Sequence, residues 1–395
     1  MTAGMRDVPL GELAFMNTSE VASLSGDAVA VSAPQELAEL VRLTDQSERR
    51  FLMVAGELSN TIVSEKFEGR LVIFRGGSLG DFEVRSGGDV LMEVEASCSL
   101  DAAVQASCSE GLAGIELLSG IPGTIGAAVA QNVAAYGQSI SDVFVTAEAL
   151  DMSTGEEVRL GPTELAFAYR RSSLKASGGF SPPLVILAVH LLLSRHAPEP
   201  LRYADLARWH RDRGRSEADL GARRQSVLEL RSTKGMVVGG EGWVPCSGSF
   251  FVGPSVPPDS AKEIAESVRG PEFAERFLEW YRPDVAAVRL PAAIVLRAAG
   301  FMNGDRWGPV GLGARHILAL CNLGGACGDQ IVTVGAHIAG EVRRRLGIEL
   351  IPEVRVLGEP VIAGWDEFSA RYPFSPGSGE PEWAVSMGGR HVGTN

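Results

Sequence analysis

Several short stretches combine side chains that could hold an anion or move a proton. In FAYRRSSLK, residues 167–175, Tyr169 and Arg170 stand side by side, with Ser172 and Lys175 just beyond. A guanidinium beside a phenol suits a carboxylate, because its planar fork matches two carboxylate oxygens. A surface cluster is the plainer explanation of the same residues. In CSGSFFVGP, residues 246–254, Ser249 lies between a glycine and two phenylalanines. No G-x-S-x-G elbow surrounds it, which argues against an acylating nucleophile. A hydroxyl can still protonate a substrate carbanion, and paired aromatics would keep water from such a site. Core packing of Phe250 and Phe251 also fits. LIPEVRVLG, residues 350–358, places Glu353 at the head of an apolar run. There a carboxyl could donate or share a proton, or simply start an exposed strand.

Two further stretches offer backbone rather than side chains. GIPGTIGAAVAQNVAAYG, residues 120–137, sets four glycines, a proline and small residues around Gln131 and Asn132. Such a chain can approach a ligand closely and present backbone donors, or it can be a tight connection packed on a sheet. FLMVAGELSN, residues 51–60, runs an apolar strand into Gly56 and then Glu57, Leu58, Ser59 and Asn60.

The elements that must position these groups alternate along the chain. A first α/β unit comprises strands at AVAVSA, RFLMVAG and GRLVIFRGG with a helix at PQELAELVRLTDQ. A second α+β unit follows, with strands DVLMEVEAS, DVFVTAEALDM and LVILAVHLLLS and a helix at SLDAAVQASCSEGL. Residues 198–235 form a basic helical run, which reads as a charged solvated face unless something gives it work. A third unit carries helices at SAKEIAESVRG, LPAAIVLRAAG and GDQIVTVGAHIAGEVRRRLG and a closing strand at PEVRVLGE. The expected divisions are 1–78, 79–230 and 231–360, with 361–395 a mobile Gly/Ser/Pro-rich tail.

Composition narrows the function classes. A net charge of -13 and a pI near 5.1 over 395 residues exclude a chain built to coat nucleic acid or an anionic membrane. No apolar run reaches the roughly 18 residues of a membrane span, and the N-terminus lacks a basic-then-apolar leader, so a cytoplasmic protein without membrane insertion is expected. Five cysteines, odd in number and without C-x-x-C or histidine spacing, read as idle thiols, with no metal site.

Taken in order, GLAGIELLSGIPGTIGAAVAQNVAAYGQSISD, FAYRRSSLK, PLRYADLAR, LRSTKGMV, GSFFVGP, ARHILALCN and IPEVR resemble the UDP-N-acetylenolpyruvoylglucosamine reductases (MurB-type) of peptidoglycan synthesis. The resemblance spans about Leu13 to Gly358. It implies an α+β architecture: a two-subdomain FAD-binding fold of the vanillyl-alcohol-oxidase type with a C-terminal α+β substrate domain. It also implies FAD as cofactor, NADPH as co-substrate, a nucleotide-sugar substrate and a monomer. Arg170 and Glu353 would stabilise charge developing at the substrate carboxylate, and Ser249 would protonate C2. The flavin pyrophosphate would rest on Gly56, Glu57, Leu58, Ser59 and Asn60, and on Gly120, Ile121, Pro122, Gly123, Thr124 and Gly126. Gln131 and Asn132 would lie near the ring or ribityl chain. Tyr169, Tyr203, Lys234 and Arg289 would meet substrate or NADPH, with Tyr203 on a lid loop.

The sequence departs from the family pattern at several contacts. Leu58 replaces the second glycine of G-x-G-S-N, and a leucine there would strain a left-handed turn or press on the phosphate, weakening or abolishing FAD binding. Only Gly26 remains of paired upstream glycines. Ala134 stands for glycine, Gly253 for asparagine, Arg289 for lysine, and Arg297 for an acidic residue. The alternative is a paralogue of this fold working on another substrate in specialised metabolism, through a different redox step or a flavin-independent cyclisation or isomerisation.

Overall fold

The computed structural model describes residues 6–8, 17–21, 27–85, 87–175, 183–268, 285–358 and 365–375. Gly26 lies outside them. The first unit is a small sheet whose β-branched strands run parallel. Strand β1 (Asp27–Val31) leads into helix α1 (Pro34–Leu43), then β2 (Leu52–Ala55), β3 (Thr61–Val63) and β4 (Arg70–Phe74). Strand β4 lies between β1 and β2 in parallel register. Helix α1 starts where sequence chemistry dictates: Pro34 occupies its first turn, and Glu36 Oε2 accepts from the N–H groups of Ser32 (2.8 Å) and Ala33 (3.1 Å).

The second unit is a five-stranded antiparallel sheet. It contains β5 (Leu79–Val84), β6 (Asp89–Glu95), β7 (Phe144–Asp151), β8 (Glu157–Leu160) and β9 (Leu184–Ser194), in the order β8, β7, β9, β6, β5. Helices α2 (Leu100–Ser109) and α3 (Ile125–Gln131) pack on it, and one buried core joins Val29, Leu37 and Val41 of the first unit to Val94, Leu100 and Leu191 of the second. The two units therefore share one contiguous core.

The basic run folds into helices α4 (Ala204–Arg211) and α5 (Leu220–Thr233), and it is more than a solvated face. Arg223, 1% exposed at its side chain, pairs with fully buried Glu116 at 3.1 Å. Arg224 grips both oxygens of Asp101.

The third unit is built on β10 (Cys246–Ser249), α6 (Pro258–Ser267), α7 (Ala292–Ala298), β11 (Val310–Leu312), β12 (Ala319–Asn322) and the long α8 (Gly328–Leu346). Its core centres on Phe250, Phe251, Trp307, Ile331, Val334 and Ile338. Part of the expected tail is docked: a helix spans Trp365–Arg371, Phe368 is 4% exposed within this core, and Phe374–Ser375 pairs with Arg306–Trp307. The closing strand β13 (Arg355–Leu357) leaves the third unit and pairs in parallel with β3 of the first. Among the described residues, no helix is long and apolar enough to cross a membrane.

Candidate active site

A cleft of about 930 Å³ lies where the three units meet, and both glycine-bearing loops border it. The loops interlock closely. A Cβ at Gly56 would lie 2.5 Å from Thr124 Oγ1, and one at Gly123, whose φ is +116°, would lie 2.8 Å from Ser59 Oγ. Cross-braces hold this contact: Ser59 Oγ donates to Pro122 O (3.0 Å), and Glu57 Oε2 accepts from the Gly123 N–H (2.9 Å). Thr124 caps α3 by accepting from the Ala127 N–H at 3.4 Å.

Leu58 does adopt the left-handed conformation, with φ +51°. Its side chain is only 2% exposed and packs with Met53, Val63, Phe67, Leu71 and Leu357 in the core beneath the loop. The steric obstruction of a phosphate expected from sequence is thereby removed, because apolar burial draws the side chain inward. The backbone strain remains.

Deeper in the cleft, one polar network gathers groups from all three units. Glu353 Oε1 accepts from Gln131 Nε2 (2.9 Å) and lies 3.5 Å from Arg170 Nε. The Glu353 carbonyl accepts from Lys175 Nζ (2.9 Å) and Asn60 Nδ2 (3.2 Å), while Asn60 also donates to Gln131 Oε1 (2.7 Å). Arg170, itself at φ +55°, donates from Nη1 to Ala134 O at 2.6 Å, and its Nε is buried without a hydrogen-bond partner. Burial holds the Lys175 ammonium below its ordinary pKa, opposed by the Glu353 charge. Ser249 joins this group through the backbone: the Glu353 N–H donates to the carbonyl of Phe250, the next residue, at 2.7 Å.

At the other end, Tyr203, Arg231, Lys234 and His316 border the cleft. Tyr203 meets Tyr136 edge-on, with ring centroids 5.2 Å apart. Burial, with Lys234 and Arg231 adding to it, pushes the His316 imidazole down to about 4, so it is neutral at neutral pH. This end presents fixed positive charge from Arg231 and Lys234, which suits a diphosphate.

The structure thus brings Gly56, Glu57, Leu58, Ser59, Asn60, Ile121, Pro122, Gly123, Thr124, Gly126, Gln131, Arg170, Tyr203, Lys234, Ser249 and Glu353 to one cleft. Four other residues expected at the site do not line it. A Cβ at Gly120 would lie 2.6 Å from Leu228 of α5, so that glycine serves helix packing. Asn132 ends α3 at φ +49°, donating to Ala168 O (2.9 Å) and accepting from the Ser141 N–H. Tyr169 is half exposed beneath the Arg289 guanidinium, 4.0 Å from its ring centroid, and Arg289 donates to Gly253 O (2.9 Å). Arg231 and His316 border the cleft but were given no role from sequence, although both sat within quoted motifs, LRSTKGMV and ARHILALCN.

A glycine-lined cleft between two α+β subdomains, completed by a third domain that brings a serine and a glutamate, fits the class of FAD-binding oxidoreductases. Two family models match, an FAD binding domain over residues 28–161 and the C-terminal domain of UDP-N-acetylenolpyruvoylglucosamine reductase over 241–357. The chain is 33% identical over 373 residues to the UDP-N-acetylenolpyruvoylglucosamine reductase of Thermobifida fusca, covering 90% of this chain and 99% of the relative. It is 35% identical over 333 residues to that of Nocardia farcinica, covering 82% and 83%. Among solved structures, the reductase of Thermus caldophilus shares the fold, with a TM-score of 0.55 and 21% identity over 89% of this chain and 99% of that one. The chain belongs to the UDP-N-acetylenolpyruvoylglucosamine reductase family.

The residues present fit FAD. Gly56 and Gly123 let the two loops interlock where any side chain would collide, so both loops border the cleft with little side-chain bulk in the way of a cofactor. Leu58 turns its side chain away from that place.

Proposed function

We propose that this chain reduces the enolpyruvyl ether of UDP-N-acetylglucosamine enolpyruvate to UDP-N-acetylmuramate, with NADPH as reductant. Bound FAD would supply the hydride chemistry that links NADPH to C3 of the enolpyruvyl group. The remaining tasks fall to this chain's side chains. Arg170 holds the substrate carboxylate region and stabilises the negative charge that builds there as C2 gains electron density, while Glu353 orients the Arg170 guanidinium. Ser249 Oγ gives its proton to C2, completing addition across the double bond, and recovers a proton from solvent. Gln131 and Lys175 fix Glu353 from its side chain and its carbonyl, so these two are positioning residues. Arg231, Lys234 and Tyr203 bind the diphosphate end.

The observation that carries this reading is the single network of Asn60, Gln131, Arg170, Lys175 and Glu353, drawn from three units and one residue removed from Ser249's strand. Such convergence costs desolvation that packing alone would not require. NADPH and nucleotide sugars are cytoplasmic solutes, which supports that compartment. In domain terms, 1–78 and 79–230 hold the cofactor and 231–360 the substrate, with β13 returning to the first unit.

The test is stopped-flow absorbance of the FAD-loaded protein. NADPH should bleach the flavin, and the enolpyruvyl sugar nucleotide should restore it. Ser249→Ala should leave bleaching within about twofold of wild type and slow reoxidation by roughly 10²–10⁴-fold. Equal slowing of both phases would remove Ser249 as proton donor, and bleached flavin that the substrate cannot reoxidise would remove the proposed reaction.

A further inference from the structure

Cys246 and Cys321 face each other as register partners on antiparallel strands β10 and β12, and both border the cleft. Their pair is of the non-hydrogen-bonded kind. The Cys246 N–H donates away from β12, to Thr18 O at 2.8 Å, while the neighbouring residues carry the ladder bond from the Asn322 N–H to Pro245 O at 2.8 Å. Side chains approach most closely at such pairs, where Cα atoms are about 4.5 Å apart. A disulfide spans roughly 4.4–6.8 Å between Cα atoms, so this register needs little backbone movement to close one.

The chemistry of the two thiols is asymmetric. Cys246 is half-buried and Cys321 is 2% exposed. The facing thiol of Cys321 holds Cys246 below its ordinary pKa, while Cys321, facing Cys246 and buried with its Sγ 3.8 Å from the Ala319 carbonyl, is pushed up. The remaining cysteines differ. Burial pushes the Cys108 and Cys327 thiols up to about 11, and burial raises Cys98 as well. Thiolate character, on which attack depends, is therefore concentrated at Cys246, the one with a second thiol against it.

We propose that Cys246 and Cys321 form an oxidisable dithiol in the cleft wall, a modification site whose reactant is a hydroperoxide and whose product is a reversible Cys246–Cys321 disulfide. The Cys246 thiolate attacks the peroxide oxygen, the O–O bond breaks, and Cys246 sulfenic acid and one water form. The Cys321 sulfur then displaces the sulfenic oxygen, which leaves as a second water carrying the Cys321 proton, and the S–S bond closes. Two thiols are oxidised by two electrons and one hydrogen peroxide is reduced. The bridge would tie β10, the strand that ends in Ser249, to β12 across a stretch where the ladder is irregular between Cys246 and Ser249. The site stands whether or not flavin is bound.

The experiment treats the full-length protein with a small excess of hydrogen peroxide and counts free thiols after denaturation in alkylating buffer. The five thiols should fall to three, five less the bridged pair. Peptide mass mapping should show Cys246 linked to Cys321, and dithiothreitol should restore all five. In Cys321→Ser the same dose should stop at sulfenic or sulfinic acid on Cys246. A linkage between any other pair would overturn the proposal. So would wild-type Cys246 ending as sulfinic acid with Cys321 still free, or five thiols surviving a dose that oxidises glutathione completely. Mapping on the wild-type chain decides the matter even if the serine variant folds poorly.

Discussion

Replacing Leu58 by glycine and by alanine separates two contributions that this residue combines. Its side chain is 2% exposed among Met53, Val63, Phe67, Leu71 and Leu357, and its φ is +51°. Removing a buried leucine side chain costs roughly 3–5 kcal/mol when the site collapses only partly. Glycine relieves the left-handed conformation, which returns about 1–2 kcal/mol; alanine keeps a Cβ and relieves nothing. Leu58→Gly should therefore lose about 2–3 kcal/mol and Leu58→Ala about 1–2 kcal/mol more. This reverses the ordinary ranking, in which alanine is the milder change. For a cooperative unit of 150–250 residues the glycine variant should melt roughly 5–10 °C below wild type. Urea unfolding of the three proteins gives the order directly, and FAD titration by fluorescence quenching should place both folded variants within about threefold of wild type. An alanine variant more stable than the glycine variant would refute the left-handed assignment. A glycine variant that keeps wild-type stability while binding FAD tenfold more tightly would refute the inward orientation and restore the steric argument.

Other expectations follow from charged pairs. Glu116→Gln leaves Arg223 buried with no compensating charge and should cost about 3–5 kcal/mol in urea unfolding, most of it recovered in Glu116→Gln with Arg223→Met. Two equally destabilised proteins would show that the pair carries no such coupling. The Arg215 guanidinium, with the Trp209 indole N–H adding to it and burial opposing, holds the Glu229 carboxyl down to about 2. A carboxyl depressed from 4.5 stabilises fully above that pH and loses its contribution as pH falls towards 2. The stability difference between wild type and Glu229→Gln should therefore shrink as pH drops from 5, and a difference that widens would refute the clamp.

Much of the site was legible because its groups are local motifs. FAYRRSSLK, GSFFVGP and IPEVR each carry one expected site residue in a short signature, and Arg170, Ser249 and Glu353 do border one cleft. The three-unit architecture was legible from alternating strand and helix periodicities. What stayed hidden depends on partners distant in sequence. Leu58 reads as an obstacle until Leu357 is seen beside it, since only tertiary packing decides which way a left-handed residue points. The basic run reads as a solvated face because nothing local marks Glu116 as the partner of Arg223. Asn132 and Gly120 resemble ligand contacts in sequence, yet capping and helix packing place equal demands on small or amide-bearing residues. Tyr169 and Arg289, both expected at the substrate, stack on one another, a contact that no local signal marks.

The pairing of β13 with β3 also bears on how the protein is made. Arg355 sits opposite Thr61, a separation of 294 residues, and the Arg355 N–H bonds to the carbonyl of Asn60 at the end of the 56–60 loop. A ribosome adding about 5–20 residues per second needs roughly 15–60 s to cover that distance. For that interval β3 presents an open strand edge, and the carbonyl of Asn60 at the end of the 56–60 loop lacks its Arg355 partner. Until Arg355–Leu357 has been made that edge stays open to wrong pairing, a hazard that the finished fold removes.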